Sequence, residues 1–244
     1  MEFQWSAKSI KWYLEAEKMT TFYSKIAGMA VESIGIGSYA LDIGCGPGSL
    51  SVELAKYCSI VEAIDKSSQV ISTIRERVKR LGLTNIVPKN LSFEKLPPDR
   101  GYDAVFLCYV AGMAQGELLE KILRHSNGKT FIVLPAEEIK NDFNIRSLIE
   151  KTGMDSSSLK QPCCKDVIMA LDKLGVKYSV RIFESEFGQP FCTRDEAMDF
   201  LRYYFPEIAA EKRKASKWLS KTLEQRDGEY YLPSTRRSAL ITIL

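Results

Sequence analysis

Three glycines at alternate positions mark the segment of this chain that is best suited to hold a ligand. Gly44, Gly46 and Gly48 follow the apolar run Tyr39 to Ile43 and precede a helix-like segment. Glycine permits positive φ and leaves no Cβ between the backbone and a ligand, so a bulky molecule can lie against such a turn. The glycines alone are weak evidence, because tight turns between a strand and a helix also use glycine for geometry.

Two aspartates accompany this turn. Asp42 stands two residues before the first glycine, and Asp65 ends the next apolar run, Ile60 to Ile64. A carboxylate at the end of a second parallel strand can accept hydrogen bonds from both hydroxyls of a ribose. Asp65 also suits the N-cap of a helix that begins near Ser67, and the sequence leaves both roles open.

The segment Asp42-Ile43-Gly44-Cys45-Gly46-Pro47-Gly48 resembles motif I of class I S-adenosylmethionine-dependent methyltransferases, and Asp65 matches their acidic residue after the second strand. A nicotinamide-binding turn would favour a third glycine at Ser49 and would usually lack an acid at position 42. The resemblance implies that the turn approaches the methionine end of S-adenosylmethionine and that Asp42 reaches its amino group. This cofactor carries an ammonium and a sulfonium but no phosphate, so a carboxylate attracts it.

The resemblance also assigns residues to the other parts of the cofactor. In the family, the adenine ring is usually contacted by an acidic residue and an apolar one after strand 3. This chain has Asn90 and Leu91 at these positions, and Lys66 is expected on the other side of the ring. Cys108, at the end of strand 4, is expected near the methyl group, although a cysteine in a buried strand is more often a small core residue. The predicted cofactor-binding residues are Asp42, Gly44, Cys45, Gly46, Gly48, Asp65, Lys66, Asn90, Leu91 and Cys108.

The acceptor is expected to be a small molecule, apolar or cationic, enclosed by aromatic side chains outside the sheet. Direct displacement at a sulfonium mainly requires alignment and exclusion of water, so no catalytic base is predicted. The single histidine, His125, fits better as a cap at a helix end. The predicted substrate-binding residues are Trp12, Tyr13, Tyr23, Tyr109 and Tyr203, with Trp5 and Tyr204 as further lining candidates.

From Tyr39 onward, short apolar runs alternate with amphipathic helical segments, a pattern that predicts an α/β protein with a parallel sheet. The resemblance implies a Rossmann-like seven-stranded sheet of order 3-2-1-4-5-7-6, with strand 7 antiparallel and helices on both faces. The predicted parallel strands are Tyr39 to Ile43, Ile60 to Ile64, Asn85 to Pro88, Ala104 to Tyr109 and Thr130 to Leu134. The helices between them are predicted over Ser49 to Tyr57, Ser68 to Leu81 and Gly116 to Arg124.

Outside this core the periodicity predicts two N-terminal helices between Ser9 and Glu32, and a final antiparallel pair of strands over Lys177 to Ser185 and Ser238 to Leu244. Further helices are predicted over Asp142 to Lys151, Asp166 to Leu174, Thr193 to Phe205 and, strongly basic, Glu207 to Glu224. We expect a single methyltransferase domain over 1–244. It comprises an N-terminal helical cap (1–36), a cofactor-binding core (37–135) and substrate-side insertions with the last two strands (136–244).

The composition narrows the partners. The 34 basic and 31 acidic residues give a formal charge of +3, too balanced for nucleic acid to be an obligatory partner. The first ten residues lack the pattern of a signal peptide and no apolar run could span a bilayer, so we expect a cytoplasmic protein with no membrane partner. RNA or protein methylation, supported only by the basic helix, and a non-catalytic nucleotide-binding module stay open as alternatives. The oligomeric state is not predicted.

Six irregularly spaced cysteines are expected to be reduced thiols in a chain of 244 residues that needs no cross-links. The adjacent Cys163 and Cys164 suit either a metal site or, more often, the start of a helix. No metal is predicted.

Overall fold

The computed structural model describes residues 4–97, 101–110, 112, 116–140, 142–152, 159–206 and 211–244. Two N-terminal helices lead into alternating strands and helices, as the periodicity predicts. The helices are α1 (Ala7–Lys18), α2 (Phe22–Ile34), α3 (Ser49–Leu54), α4 (Ser68–Leu81), α5 (Gly116–Arg124), α6 (Ile145–Thr152), α7 (Cys164–Leu174), α8 (Arg194–Tyr204) and α9 (Lys212–Thr222).

Seven strands form the central sheet in the order β3-β2-β1-β4-β5-β10-β6. The first five are mutually parallel, and β10 lies antiparallel between β5 and β6, so the predicted order and the antiparallel seventh strand are confirmed. The strands of this sheet are β1 (Tyr39–Ile43), β2 (Ile60–Asp65), β3 (Ile86–Asn90), β4 (Tyr102–Cys108), β5 (Ser126–Pro135), β6 (Tyr178–Glu186) and β10 (Thr235–Ile243).

The central strands are mostly apolar because helices cover both faces of the sheet. Alternate residues of β4 therefore enter different cores: Phe106 stacks on Phe131 at 4.8 Å on the face covered by α2, whereas Val105 and Leu107 pack on the opposite face. This two-sided burial fixes the positions of the strand ends, where the candidate site lies.

Several predicted boundaries are shifted. The third strand was predicted to end at Pro88, but the parallel ladder continues until Asn90 pairs with Asp65. The fourth strand ends at Cys108 because Tyr109 has φ 58°, which is incompatible with a strand. Helix α3 ends at Leu54 rather than near Tyr57.

The predicted insertion between the last two strands contains a second sheet that the sequence analysis missed. Strands β7 (Gln189–Phe191), β8 (Glu224–Arg226) and β9 (Glu229–Leu232) form an antiparallel sheet in the order β7-β9-β8. Asp227 and Gly228, with φ of 49° and 85°, form the two-residue turn between β8 and β9. The basic helix stops at Thr222 because the residues from Glu224 onward pair with β9. The predicted start of that helix at 207–210 lies outside the described residues.

All six cysteines are unpaired thiols. Cys163 is the N-cap of α7 and Cys164 is its first residue, so the helix-start interpretation of this pair is confirmed. Among the described residues, no three potential histidine, cysteine or acidic ligands cluster as a metal site would require. None of the described helices is both long and apolar enough to cross a membrane.

Candidate active site

A cavity of about 980 Å³ lies where the carboxyl ends of β1, β2 and β4 meet the N-terminal helices and the segment after β6. Ligands of open α/β sheets bind at this edge, and the volume is within the range of small-molecule sites. The predicted residues that line the cavity are Asp42, Gly44, Cys45, Gly46, Asp65, Lys66, Leu91, Cys108, Tyr13, Tyr23 and Tyr109, together with Trp5 and Tyr204.

The glycine turn forms one wall of this cavity. Gly44 and Gly46 have φ of 65° and 52°, and a Cβ on Gly44 would lie 2.8 Å from the Val110 side chain. The N–H of Cys45 donates to the carbonyl of Ile64 at 3.1 Å, which ties the turn to β2. Glycine is therefore required here by both backbone conformation and close packing.

Asp65 lies directly at the turn. Its Oδ2 accepts from the N–H of Gly46 at 3.1 Å, and its Oδ1 accepts from the N–H of Ser67 at 2.8 Å. Ser67, not Asp65, is the N-cap of α4. Asp65 therefore does not cap the helix itself but accepts a hydrogen bond from the residue that does. Each carboxylate oxygen keeps a second lone pair, so Asp65 can still accept from hydroxyls in the cavity.

Comparison with known proteins agrees with this arrangement. A family model described as "Methyltransferase domain" matches residues 40–127, which include the glycine turn and Asp65. Residues 40–127 therefore correspond to a methyltransferase domain.

Two curated relatives named "Probable cobalt-precorrin-6B C(15)-methyltransferase (decarboxylating)" match part of the chain. The one from Methanococcus maripaludis is 29% identical over 113 residues, which is 46% of this chain and 60% of the relative. The one from Methanococcus vannielii is 35% identical over 63 residues, which is 25% of this chain and 35% of the relative. The chain thus spans at most 60% of the length of these relatives.

Solved structures share the fold over more of the chain. A SAM-dependent methyltransferase from Aquifex aeolicus is 20% identical, with a TM-score of 0.52 over 73% of this chain and 92% of that one. Magnesium protoporphyrin IX methyltransferase from Synechocystis, crystallised with bound SAH, is 13% identical, with a TM-score of 0.55 over 100% of this chain and 89% of that one. At these identities the likeness establishes the fold alone.

Asp42 is a buried acid at the cavity wall. Its side chain is 1% exposed, and Ser51 Oγ donates to its Oδ2 at 2.6 Å. Burial, together with the charge of the neighbouring Asp65, raises the pKa of Asp42 to about 7, although the Ser51 hydrogen bond lowers it. A cation placed beside Asp42 would favour its ionised form.

The wall beyond β3 is formed by Leu91 and the 3₁₀ turn Phe93–Lys95 rather than by Asn90. Asn90 does not line the cavity, because its Nδ2 donates to the carbonyls of Asp65 and Lys66 at 3.1 and 2.9 Å. The predicted cofactor contact of Asn90 is therefore replaced by a role in holding the backbone after β2. Glu94, which the sequence analysis did not select, supplies an acidic group on this wall.

Three other predicted residues also lie outside the cavity lining. Gly48 has φ 83° at the N-cap of α3, where a Cβ would lie 2.8 Å from Ile74, so this glycine serves the packing of α3 on α4. Trp12 is 1% exposed and its Nε1 donates to Glu196 at 3.2 Å, which makes it a core residue. The Tyr203 hydroxyl faces the surface and bonds Ser6 Oγ at 3.1 Å.

The tyrosines that do line the cavity are neutral phenols. Tyr13 and Tyr23 share a hydrogen bond between their hydroxyls, and burial raises the pKa of both. The Tyr109 hydroxyl bonds Ser238 Oγ at 2.8 Å, and burial raises its pKa to about 12. None of the three is poised to act as a base at neutral pH.

Burial likewise raises the pKa of the Cys45 and Cys108 thiols, so both stay protonated, as expected of small core residues. His125 is 2% exposed and lies edge-on to Phe93 at 5.3 Å, outside the cavity lining. Its N–H donates to the carbonyl of Ile122, which agrees with the predicted place at a helix end.

A charged group at the far end of the cavity was missed from the sequence. Lys140 and Asp142 follow β5, and Arg236 projects from β10; all three line the cavity beside Phe187. These positions have no motif in common and are brought together only by the pairing of β10 with β5.

Proposed function

We propose that this protein transfers the methyl group of S-adenosylmethionine to a small-molecule acceptor and releases S-adenosylhomocysteine. The observation that carries the proposal is the hydrogen bond between the Gly46 N–H and the Asp65 carboxylate at the wall of one cavity. The glycine turn and the acid after β2 therefore face a common space, where a single nucleoside can contact both.

The residues present fit this cofactor. Asp65 can accept hydrogen bonds from the ribose hydroxyls, and Asp42 can pair with the ammonium group. Leu91 and Phe93 provide an apolar surface for the adenine ring. The positive φ of Gly44 and Gly46 bends the backbone so that the turn lines the cavity. When bound, S-adenosylmethionine supplies an electrophilic methyl group on a sulfonium.

The protein's own contribution is binding, orientation and exclusion of water. Trp5 lies over the turn, with its ring 3.1 Å from the position that a Cβ on Gly46 would take. Tyr109, in a left-handed conformation directly after β4, lines the same cavity, and its ring centre lies 5.2 Å from the Arg236 guanidinium. Such backbone strain in a non-glycine residue is typical of functional sites.

We further propose that the chain acts as one domain, because Trp5, Gly46 and Arg236 line the same cavity from its N-terminal, central and C-terminal parts. The basic helix α9 buries Ala215, Trp218 and Leu219 and leaves its charged residues exposed, as expected of a solvated face. A small-molecule acceptor is therefore favoured over RNA or protein. A cytoplasmic location stays a prediction from the sequence.

The test supplies S-adenosylmethionine with a radiolabelled methyl group and three acceptor pools: a metabolite extract, total RNA and a protein fraction. We expect label in the metabolite fraction, with matching release of S-adenosylhomocysteine, and none with the Asp65→Ala variant. Label in RNA or protein would overturn the acceptor class. No label and no S-adenosylhomocysteine in all three pools would overturn the activity.

A further inference from the structure

Arg236 is held against aromatic rings at the far end of the cavity. Its guanidinium lies 3.6 Å from the ring centre of Phe187, 5.2 Å from that of Tyr109 and 5.8 Å from that of Phe22. The ring faces at this end are thus already in contact with a cation of the protein itself. A cationic acceptor, which the aromatic content of the sequence suggested, would meet this charge and be repelled.

The contact with Phe187 leaves the Nε donor of Arg236 available to a ligand. A guanidinium that lies on an aromatic ring keeps its N–H groups in its own plane, where they suit the two oxygens of a carboxylate. Within the described part of the chain, the buried Nε of Arg236 has no hydrogen-bond partner, and Asp142 Oδ1 lies 3.8 Å away, beyond hydrogen-bond distance. A buried donor without a partner is costly, and a ligand oxygen would satisfy it.

Lys140 adds a second positive charge beside this group. Its Nζ lies 4.0 Å from Asp142 Oδ2 and 5.0 Å from the ring centre of Phe205. Burial lowers the pKa of Lys140, Asp142 opposes this by raising it, and the positive charge of Arg236 lowers it. The far end therefore holds two basic groups and one acid, a formal excess of one positive charge among partly buried side chains.

The two ends of the cavity differ in charge. The turn end is lined by Asp42, Asp65, Glu94 and Lys66, an excess of acids that suits a positively charged cofactor. The excess at the far end has the opposite sign, so it favours a ligand of the opposite charge to the cofactor.

We propose that the far end binds a carboxylate carried by the methyl acceptor, with Arg236 as its specificity-determining ligand and Lys140 as the second cation. This inference rests on the proposed function of the same cavity. A monoanion matches the excess of one charge, whereas the second charge of a phosphate monoester would lack a partner. Phe187, Phe200 and Phe205 line the same end and suit an apolar body attached to the carboxylate.

The test titrates three probes, benzoate, benzamide and phenyl phosphate, into protein loaded with S-adenosylhomocysteine, followed by ligand-observed NMR. Arg236→Gln removes the proposed ligand. Arg237→Gln is the matched control, because Arg237 is the next residue of β10, is exposed, and pairs with Glu137 and Glu184 outside the cavity. We expect benzoate to bind at least about tenfold more tightly than benzamide, as is typical of a charged hydrogen bond.

We expect that preference to be lost in Arg236→Gln, reduced in Lys140→Met and kept in Arg237→Gln. Equal binding of benzoate and benzamide, a preference that survives Arg236→Gln, or tighter binding of phenyl phosphate would each overturn the inference. Should Arg236→Gln fail to fold, the wild-type comparison of the three probes and the Lys140→Met variant still decide it. Failure of wild-type protein to bind S-adenosylhomocysteine would instead refute the proposed function.

Discussion

Replacing Asp42 by asparagine tests the electrostatics of the cavity wall without reference to any ligand. Asp42 is buried in β1 and accepts a hydrogen bond from Ser51. Asparagine keeps the shape and an acceptor for Ser51 but carries no charge at any pH. The variant therefore removes the cost of ionising a buried acid and leaves the packing in place.

The size of the effect follows from the pKa. Burial raises the pKa of Asp42 from 3.8 to about 7, so between these values the folded protein holds a proton that the unfolded chain has lost. Stability contributed by this proton is complete below about pH 4 and is lost as the pH rises to 7. The largest change in the free energy of unfolding that this shift can cause is about 4 kcal/mol, and about 2 to 3 kcal/mol of that change occurs between pH 5 and pH 8.

The assay is urea unfolding of ligand-free protein at pH 5, 6, 7 and 8. We expect the free energy of unfolding of Asp42→Asn, relative to wild type, to rise with pH by that amount. Glu76→Gln, which neutralises an exposed acid of α4, serves as the control and should show no comparable rise. A difference between Asp42→Asn and wild type that stays constant from pH 5 to pH 8 would refute the reasoning.

Three further predictions concern the glycine turn. S-adenosylhomocysteine should change the tryptophan fluorescence of wild type but not of Trp5→Phe, because Trp12 and Trp218 are buried outside the cavity; an equal change in both would contradict this. Gly46→Ala should lower the free energy of unfolding by about 1 to 3 kcal/mol, since φ is 52° there, and unchanged urea unfolding would disprove it. Arg77→Met should lower the free energy of unfolding by about 1 to 3 kcal/mol in the same assay, because Arg77 donates to the Pro47 carbonyl at 2.6 Å and pairs with Glu17. An unchanged free energy of unfolding would show that these contacts do not stabilise the turn.

Much of the sheet could be predicted from the sequence because each central strand is a short apolar run that ends in a strong boundary. Strand β1 and helices α4 and α5 match their predicted bounds. The second sheet was missed because its strands have only three or four residues, too few to show a period. The Asp227-Gly228 pair was a readable hairpin signal within that segment.

Part of the candidate site could likewise be predicted from the sequence, and part could not. Asp42, the glycine turn and Asp65 lie within 24 residues of each other and carry a local pattern. Arg236 and Lys140 meet only through the sheet, so no local pattern could reveal them. The predictions for Asn90 and Trp12 were wrong because the residue type shows which hydrogen bonds a side chain can make but not which partner it meets in the fold. Asn90 donates to backbone carbonyls and Trp12 donates to Glu196.

The central claim is that Asp65 and the glycine turn bind one nucleoside, and calorimetric titration of S-adenosylmethionine and S-adenosylhomocysteine into wild type and Asp65→Asn tests it most directly. We predict that wild type binds both, and that Asp65→Asn, folded by circular dichroism, binds each at least about tenfold more weakly through loss of charged hydrogen bonds. Equal affinity in the two proteins, or no binding of either compound to folded wild type, would contradict the account.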